Sequence, residues 1–386
     1  MTYRIGIVSD WFYPKIGGIQ SHVDGLCRYL LKQKYYPVVI AQKNKKPCKN
    51  NFPYPVRRVD GFVLPFFDFA PVGTYGYLQR IITDDFFDLI HSHHAFTPMS
   101  LYSIDIAYKR GIPSVLTAHS LGFWWRSKYV WKLFSEFLMG VRQYYKKVDR
   151  IIAVSNAVKD FMSYFADPQK IIVIPNAIHT AEYRLDKDKQ EIREELHIAP
   201  DEKVVLFLGR LVFRKGVHIL IDAFKKLKTN SLTRLYIIGT GSMESTLKGM
   251  VSAFDLTNRV VFVGNVTHEE KIKYLNAADF VVAPSIYGEA FGIVIIEALA
   301  AGRPVIATKV GGMKDILHHE KDGLFVPAAD SNALKNAIET LLVDENLLAQ
   351  MSKNALETAK RYDWNVVGKE ILSIYKSLLL HNGHTI

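Results

Sequence analysis

The sequence predicts an α/β protein made of two Rossmann-like, doubly wound domains, each with a parallel β-sheet. Short β-branched runs alternate with amphipathic stretches along the chain, as in βαβ units. The alternation is interrupted by a charged, helix-prone stretch from Lys187 to Leu196 and restarts after Pro200. The 386 residues are 49% hydrophobic, which is enough to bury two cores. We therefore expect domains over residues 1–178 and 179–364, facing each other across a cleft that binds ligands beyond the carboxyl ends of the strands.

Six strands are predicted in the first domain, because each run is short, apolar and rich in β-branched residues. They are Arg4–Val8, Val38–Ala41, Leu89–His91, Ser114–Thr117, Ile151–Val154 and Ile171–Ile174. A glycine pair, Gly17 and Gly18, follows the first strand and precedes a predicted helix from about Ser21 to Leu31. Glycines let a diphosphate approach the backbone, and the N–H groups that begin a helix favour negative charge. A plain tight turn is the alternative interpretation of this pair.

Six further strands are predicted in the second domain on the same grounds. They are Val204–Leu208, Leu235–Ile238, Val260–Val263, Phe280–Ala283, Pro304–Ala307 and Gly323–Val326. Periodicity then predicts a final helix over residues 366–380.

Charge is concentrated in the first half of the chain. Residues 1–178 carry 23 Lys and Arg against 12 Asp and Glu, a net charge of +11, whereas residues 179–386 carry 26 against 26. A field of one sign indicates an anionic partner, either a nucleic acid or an acidic membrane surface, with ordinary solubility charge as the alternative. Cys27 and Cys48 form no disulfide framework or metal-ligand spacing, and no signal peptide or spanning run is visible. We expect a reducing, cytoplasmic compartment.

Two carboxylates eight residues apart, Glu289 and Glu297, are the most informative local feature. Glu297 lies in an otherwise apolar predicted helix, where an unpaired carboxylate would cost several kcal/mol. The 2′ and 3′ hydroxyls of a ribose are suitable partners, while pairing with a nearby Arg or capping a loop is the alternative. If the whole segment were helical, the two residues would lie about 12 Å apart, which is about the span from ribose to sugar in a nucleotide sugar.

These carboxylates belong to a set of motifs that indicates a family. Glu289 and Glu297 are followed by the turn at Gly302 and by Gly311-Gly312, and the remaining motifs are Ser9–His22, His91-Ser-His93, Thr117–Ser120 and Arg210–Gly216. Together they resemble the retaining family 4 glycosyltransferases of the GT-B fold, in particular those that transfer N-acetylglucosamine or mannose to phosphatidylinositol. The resemblance implies that the last helix, about residues 365–386, returns to the first domain.

The resemblance assigns roles to residues at the predicted strand ends. His119 would lie at the reacting carbon of the sugar, and Arg210 and Lys215 would stabilise the leaving diphosphate, with Glu289 as the further catalytic candidate. The donor-binding candidates are Gly17, Gly18, Gly239, Gly241, Val266, Phe291, Gly292, Ile293 and Glu297. The acceptor candidates are Asp10, Trp11, Tyr13 and His22.

The expected activity is transfer of a sugar, with retention, to a membrane-linked acceptor such as an inositol phospholipid. UDP-N-acetylglucosamine is the first choice of donor and GDP-mannose the second, and no cofactor is required. The alternatives are a GT-B enzyme that acts on soluble acceptors, an epimerase or phosphorylase, and a non-catalytic binding module. His91, His93 and His94 form a candidate metal cluster, but no nearby carboxylate completes a familiar ligand set, so no metal is expected.

A segment rich in aromatic and basic residues follows the fourth predicted strand and predicts peripheral attachment to the inner face of a membrane. Rings at helical spacing, from Trp124 to Tyr145, are flanked by cations, which suits a helix in an anionic interface. Packing on the sheet is the alternative, and single-stranded nucleic acid is disfavoured by the other motifs. The membrane-surface candidates are Trp124, Trp125, Arg126, Lys128, Trp131 and Lys132.

Overall fold

A computed structural model describes residues 2–13, 17–43, 51–61, 73–121, 139–228 and 232–381. The chain divides into two compact units. One comprises Met1–Ala177 together with Trp364–Ile386, and the other comprises Ile178–Asp363. Each unit is built on its own parallel sheet, so the predicted fold class is confirmed.

The sheet of the first unit has seven parallel strands in the order β3-β2-β1-β4-β5-β6-β7. Five of its strands are covered on both faces, which explains why they appear in the sequence as continuous apolar runs. The strands are β1 (Arg4–Ser9), β2 (Tyr36–Gln42), β3 (Val56–Val59), β4 (Leu89–His93), β5 (Ser114–Ala118), β6 (Arg150–Ala153) and β7 (Ile171–Val173).

The strand β3 was not predicted from the sequence. It is a four-residue edge strand that pairs only with β2 among the described strands, and Arg57 and Arg58 form its middle. Two charged residues in the middle of the segment interrupt the apolar pattern by which a strand is predicted, although charged side chains are common on sheet edges.

Six helices lie in the described part of this unit: α1 (Gly18–Lys32), α2 (Thr74–Asp84), α3 (Pro98–Arg110), α4 (Met139–Lys147), α5 (Asn156–Met162) and, from the end of the chain, α13 (Trp364–His381). The helix α13 packs beside α1, where its buried residues recur at helical spacing. Contact is so close that a Cβ built on Gly25 of α1 would lie 2.3 Å from Nε1 of Trp364. A side chain at position 25 would therefore push the carboxyl-terminal helix away from α1.

The second unit has six parallel strands in the order β10-β9-β8-β11-β12-β13. They are β8 (Lys203–Leu208), β9 (Thr233–Ile238), β10 (Val260–Gly264), β11 (Phe280–Ala283), β12 (Val305–Thr308) and β13 (Gly323–Val326). Its helices are α6 (Lys189–Glu195), α7 (Val217–Lys225), α8 (Glu244–Ala253), α9 (His268–Ala277), α10 (Ile293–Ala300), α11 (Ser331–Val343) and α12 (Glu345–Ala359). All six predicted strands of this half are present.

Side-chain caps fix where several of these helices begin. Thr267 and Glu270 form a reciprocal capping box at the start of α9. Asp330 and Asp344 accept backbone N–H groups at the starts of α11 and α12. The cap of α9 matters for the site, because this helix carries Lys271.

None of the described helices is both long enough and apolar enough to cross a membrane.

Candidate active site

Glycine turns follow adjacent strands of the second sheet, where parallel strands bring their carboxyl ends to one edge. The Gly239 N–H donates to the Gly264 carbonyl at 2.8 Å, and the Gly209 N–H donates to the Ile238 carbonyl at 3.0 Å. These bonds link the turns after β8, β9 and β10. Gly241 and the half-buried Val266 lie just beyond them. The donor-binding candidates Gly239, Gly241 and Val266 therefore belong to one group of connected turns.

Glu289 is held in an ion pair in the loop before α10. Its Oε2 accepts hydrogen bonds from Lys215 Nζ at 2.6 Å and from Ser285 Oγ at 3.1 Å. Burial alone would raise the pKa of Glu289, but the Lys215 ammonium and the other partners hold it below its usual range. The sequence predicted that both residues lie in the site, and the structure brings them into direct contact.

Arg214 is a site residue that the sequence analysis missed. Its Nη1 donates to the Gly288 carbonyl at 3.0 Å and lies 3.9 Å from Glu289 Oε2. Its own carbonyl accepts the Ile286 N–H at 2.7 Å. Arg214 thus holds the loop that carries Glu289, and the only sequence signal was its place in the Arg210–Gly216 motif.

The loop after β12 supports Glu289 from behind. Gly311 has φ of +54°, and a Cβ built there would lie 1.9 Å from the Glu289 carbonyl oxygen. The Gly312 N–H donates to that same oxygen at 2.9 Å. Only glycine fits such an approach, which gives the Gly311-Gly312 motif a physical reason.

Glu297 has protein partners that the sequence could not reveal. Its Oε1 accepts hydrogen bonds from Lys271 Nζ at 2.6 Å and from Tyr183 Oη at 2.8 Å. The alternative of pairing with a cation is therefore present, although the cation is a Lys and not an Arg, and the ribose role of Glu297 stays a prediction. Both bonds fall on Oε1, so Oε2 makes no hydrogen bond with the residues that the structure describes.

The spacing of the two carboxylates also differs from the wholly helical case. The helix α10 begins at Ile293, and Gly292 before it has φ of +101°. Glu289 therefore precedes the helix in a turn, and the 12 Å helical span does not apply. Phe291 is buried against Tyr362, with ring centroids 5.9 Å apart, so only its backbone is available to a ligand.

Arg210 differs from Lys215 in its surroundings. It is exposed at the end of β8, and its side chain makes no hydrogen bond or ion pair with the described part of the chain. A cation that pairs with none of the described residues is available to a phosphate.

In the first unit, histidines gather where β1, β4 and β5 end side by side. His93 Nδ1 and His119 Nε2 are 3.0 Å apart, and the ring of His22 in α1 lies 5.1 Å from that of His119. Burial lowers the pKa of His22 to about 3 and holds those of His93 and His119 well below the usual range. These three imidazoles are therefore neutral.

His91 and His94 belong to different surroundings. His91 Nδ1 contacts Tyr375 Oη at 2.5 Å and its Nε2 contacts Thr117 Oγ1 at 2.6 Å, so both ring nitrogens are used. His94 lies past the strand with φ of +81° and packs edge-on against Trp11. The grouping of His91, His93 and His94 that the sequence suggested is not the group that the structure forms.

The acceptor candidates lie just after β1. Asp10 is 2% exposed, and neither of its carboxylate oxygens makes a hydrogen bond of ordinary geometry with a described residue. Burial raises the pKa of Asp10 to about 6, despite the nearby Thr97 and the backbone of Met99 and Ser100, which lower it. A buried polar group without a partner costs about 1–3 kcal/mol, so Asp10 is a strong candidate for a ligand contact.

Tyr13 and the glycine pair complete this end of the unit. Tyr13 packs on Phe12 and Phe52, with ring centroids 5.2 and 5.6 Å away. Gly17 precedes α1, and the first turn of that helix contains no acidic residue. The backbone N–H groups there remain suitable for an anion.

The membrane-surface candidates Trp124, Trp125, Arg126, Lys128, Trp131 and Lys132 lie outside the described residues. The end of the same segment is described as α4, and its Tyr145 is 1% exposed with its hydroxyl donating to the Ala95 carbonyl at 2.5 Å. The expectation that Tyr145 continues an interfacial aromatic face was wrong, because this ring is packed in the protein.

Comparison with known families and proteins agrees with this arrangement. Residues 16–182 match the family Glycosyltransferase Family 4, and residues 188–358 match Glycosyl transferases group 1. The chain is 29% identical to the phosphatidyl-myo-inositol mannosyltransferase of Mycobacterium leprae, over 97% of each chain. It is 25% identical to the phosphatidylinositol N-acetylglucosaminyltransferase GPI3 subunit of Saccharomyces cerevisiae, over 98% of this chain and 84% of that one.

Solved structures share the fold over nearly the whole length. The sucrose-phosphate synthase of Thermosynechococcus elongatus superposes with a TM-score of 0.81 at 23% identity, covering 98% of this chain and all of that one. The Anabaena protein Alr3699/HepE, in complex with UDP and glucose, superposes with a TM-score of 0.80 at 22% identity, covering 97% of this chain and 100% of its own. The chain therefore belongs to the glycosyltransferases of the GT-B fold, with a family 4 amino-terminal part and a group 1 carboxyl-terminal part.

Proposed function

We propose that this glycosyltransferase moves a hexose, with retention, from a nucleoside-diphosphate sugar to the inositol ring of an anionic phospholipid. UDP-N-acetylglucosamine is the first choice of donor and GDP-mannose the second. The observation that carries the proposal is the pair of carboxylates around α10. Glu289 is ion-paired with Lys215 just before the helix, and Glu297 in the helix makes no hydrogen bond through Oε2 with a described residue.

The donor binds the second unit in this proposal. The turns at Gly239, Gly241 and Val266 hold the base, mainly through main-chain groups. Glu297 Oε2 accepts the ribose hydroxyls, because both hydrogen bonds of this carboxylate with described residues fall on Oε1 and leave the lone pairs of Oε2 available. The backbone N–H groups of Phe291, Gly292 and Ile293 face the distal phosphate or the sugar.

The diphosphate of the donor binds two cationic side chains, those of Arg210 and Lys215. Arg210 meets it directly, and Lys215 is shared between the phosphate and Glu289 once the donor is bound. Such charges stabilise a leaving group most strongly when negative charge develops on it, which lowers the barrier. Arg214 acts as a positioning residue by holding the Gly288 carbonyl.

Transfer then forms one bond and breaks another on the same face of the sugar. The bond between the anomeric carbon and the diphosphate oxygen breaks, and the acceptor hydroxyl oxygen bonds to that carbon. The hydroxyl proton passes to the leaving phosphate oxygen, so no protein nucleophile is needed. His119 contacts the sugar at the reacting carbon, while Asp10, Trp11, Tyr13 and His22 hold the acceptor.

Several observations support a lipid acceptor at a membrane. Two of the relatives carry phosphatidylinositol in their names. The excess positive charge is confined to the first 178 residues, where an anionic surface would be met. We propose peripheral attachment to the inner face of the membrane through the segment that contains Arg126, Lys128 and Lys132.

A thermal-shift panel tests the donor half of this proposal. UDP, UDP-N-acetylglucosamine, GDP, GDP-mannose and ADP are each added to the purified chain. A ligand at 100 times its dissociation constant stabilises by about 2.7 kcal/mol, so the bound nucleotide should raise the melting temperature by several degrees. Lys215→Ala should reduce the shift. If none of the nucleotides shifts the melting temperature, the donor site is assigned wrongly.

A further inference from the structure

A groove in the first unit lies between α4 and the loop that joins α5 to β7. Its volume is about 720 Å³, which falls within the range of about 300–1,000 Å³ that is usual for small-molecule sites. Tyr145 and Phe165 form part of its lining, and both rings are buried, with centroids 6.4 Å apart. The Tyr145 hydroxyl is also fixed on the Ala95 carbonyl. The groove therefore has a packed aromatic wall.

Positive charge dominates the groove. Three cations and one carboxylate are present among the described residues that line it: Arg142, Lys146, Lys170 and Asp167. The Asp167 carboxylate accepts the Gln169 N–H at 3.0 Å, and it forms no ion pair with a residue that the structure describes. The single acid of the groove therefore serves a turn of the backbone and neutralises none of the three cations by direct contact.

Two of the cations lie side by side on α4. Arg142 and Lys146 are four residues apart, so they share one face of the helix, where like charges repel each other. Arg142 Nη2 donates to the Tyr164 carbonyl at 3.2 Å, which holds the guanidinium at the groove. Lys146 is exposed and forms no ion pair within the described part of the chain. An anion between the two side chains would turn their repulsion into attraction.

The third cation, Lys170, removes an obstacle to anion binding. The carboxyl-terminal end of a helix carries partial negative charge, which by itself would repel an anion near the end of α4. Lys170 Nζ donates to the carbonyls of Lys146 at 2.9 Å and of Val148 at 2.8 Å. The ammonium of Lys170 therefore offsets the negative end of this helix beside the groove.

We propose that this groove binds a phosphate group, which belongs to a phospholipid headgroup or to a soluble phosphate compound. Arg142 and Lys146 donate hydrogen bonds to the phosphate oxygens, because a guanidinium matches two of these oxygens and an ammonium adds a point charge. The helix α4 directly follows the segment proposed for membrane attachment, which favours the lipid as the source. The proposal goes beyond the transfer reaction and uses none of the donor or acceptor residues.

The test titrates the full chain with two probes and follows binding by calorimetry. The probes are inorganic phosphate and dihexanoyl phosphatidic acid below its critical micelle concentration. The double variant Arg142→Gln with Lys146→Gln should bind the probes at least roughly tenfold more weakly than the parent, since bonds from two charged donors are lost. Tighter binding of phosphatidic acid than of inorganic phosphate identifies a lipid headgroup as the source, and equal affinities identify a soluble phosphate compound.

Two controls make the result specific. Lys32→Gln with Arg110→Gln removes the same charges from exposed positions in the last turns of α1 and α3, and this variant should bind both probes like the parent. Arg210→Ala removes a cation of the proposed donor site, and it should leave binding to the groove intact. A loss of binding in Arg210→Ala and not in the groove variant would assign the phosphate to the donor site and overturn the proposal.

The proposal is also overturned if the parent binds neither probe, if the folded groove variant binds both probes like the parent, or if the control double variant loses as much affinity. Arg142 contacts the protein, so its replacement can affect folding. Lys146→Gln alone changes one exposed side chain, and it should weaken binding severalfold. If the double variant fails to fold, unchanged affinity of Lys146→Gln overturns the proposal.

Discussion

Replacing Glu297 by Gln separates its role toward the donor from its role in the protein. The substitution preserves shape but removes the charge and one acceptor oxygen. If Oε2 accepts the ribose hydroxyls, the loss corresponds to bonds with a charged group, worth about 1.5–3 kcal/mol. Because 1.4 kcal/mol is a factor of ten, donor affinity should fall about 10- to 150-fold.

The same change also breaks the ion pair with Lys271. The side chains of Lys271 and Glu297 are 24% and 11% exposed, so the pair is only partly solvated. Loss of this ion pair should lower the free energy of unfolding by between about 1 kcal/mol, as for an exposed pair, and about 3–5 kcal/mol, as for a buried pair. In a domain of this size each kcal/mol lowers the melting temperature by about 2–4 °C.

Lys271→Gln is the matched control, because it breaks the same ion pair and leaves the carboxylate in place. Calorimetry should therefore find similar melting temperatures for the two variants. Titration with UDP and GDP compounds should find a large loss of affinity only for Glu297→Gln. If both folded variants bind the donor like the parent, Glu297 is a structural ion-pair partner and its ribose role is excluded.

Three further predictions test other parts of the account. Arg210→Ala and Lys215→Ala should each lower kcat more than they raise KM for the donor, because the contacts of these two side chains strengthen as charge develops on the leaving group. If steady-state kinetics show a change in KM alone, the two residues only bind the donor. Burial raises the pKa of Asp10 from 3.8 to about 6, so the folded state holds this proton more tightly and loses stability as pH rises between these values. Asp10→Asn should thus be more stable than the parent above pH 6, by about 3 kcal/mol, and no more stable below pH 4, as measured by urea unfolding. The control Asp160→Asn, at an exposed position, should show no such difference in stability. A gain in stability that is independent of pH would refute the burial argument. Replacing Arg126, Lys128 and Lys132 together by Gln should reduce sedimentation with acidic vesicles, at about 1 kcal/mol per cation, and leave donor binding intact. The control variant replaces three exposed lysines of the second unit by Gln, namely Lys226, Lys248 and Lys360. Equal sedimentation of the two triple variants would contradict the proposed attachment site.

The fold could largely be predicted from the sequence, because parallel strands buried on both faces appear as short apolar runs. Twelve of the thirteen strands that the structure describes were predicted in this way, and β3 was not, since Arg57 and Arg58 interrupt its pattern. The carboxylate pair was accessible for a related reason. A charged residue within an apolar helix is conspicuous without any structure.

The contacts within the site could not be predicted from the sequence, because they join residues that are distant in the chain. Glu297 pairs with Lys271 and Tyr183, which belong to other elements. His91 looks like a ligand beside His93, yet its ring is engaged by Tyr375, which lies 284 residues further along the chain. Sequence proximity grouped the wrong histidines, since their partners are set by strand order and by the returning helix.

Transfer of a labelled sugar to a defined lipid tests the central claim most directly. The purified chain is incubated with UDP-N-acetylglucosamine or GDP-mannose, labelled in the sugar, and with vesicles that contain phosphatidylinositol or only phosphatidylserine. A parallel reaction offers free inositol and soluble sugars. We predict labelled glycolipid only with phosphatidylinositol, and NMR of the product should show the anomeric configuration of the donor. Labelled soluble product without glycolipid, or a glycolipid of inverted configuration, would contradict the account.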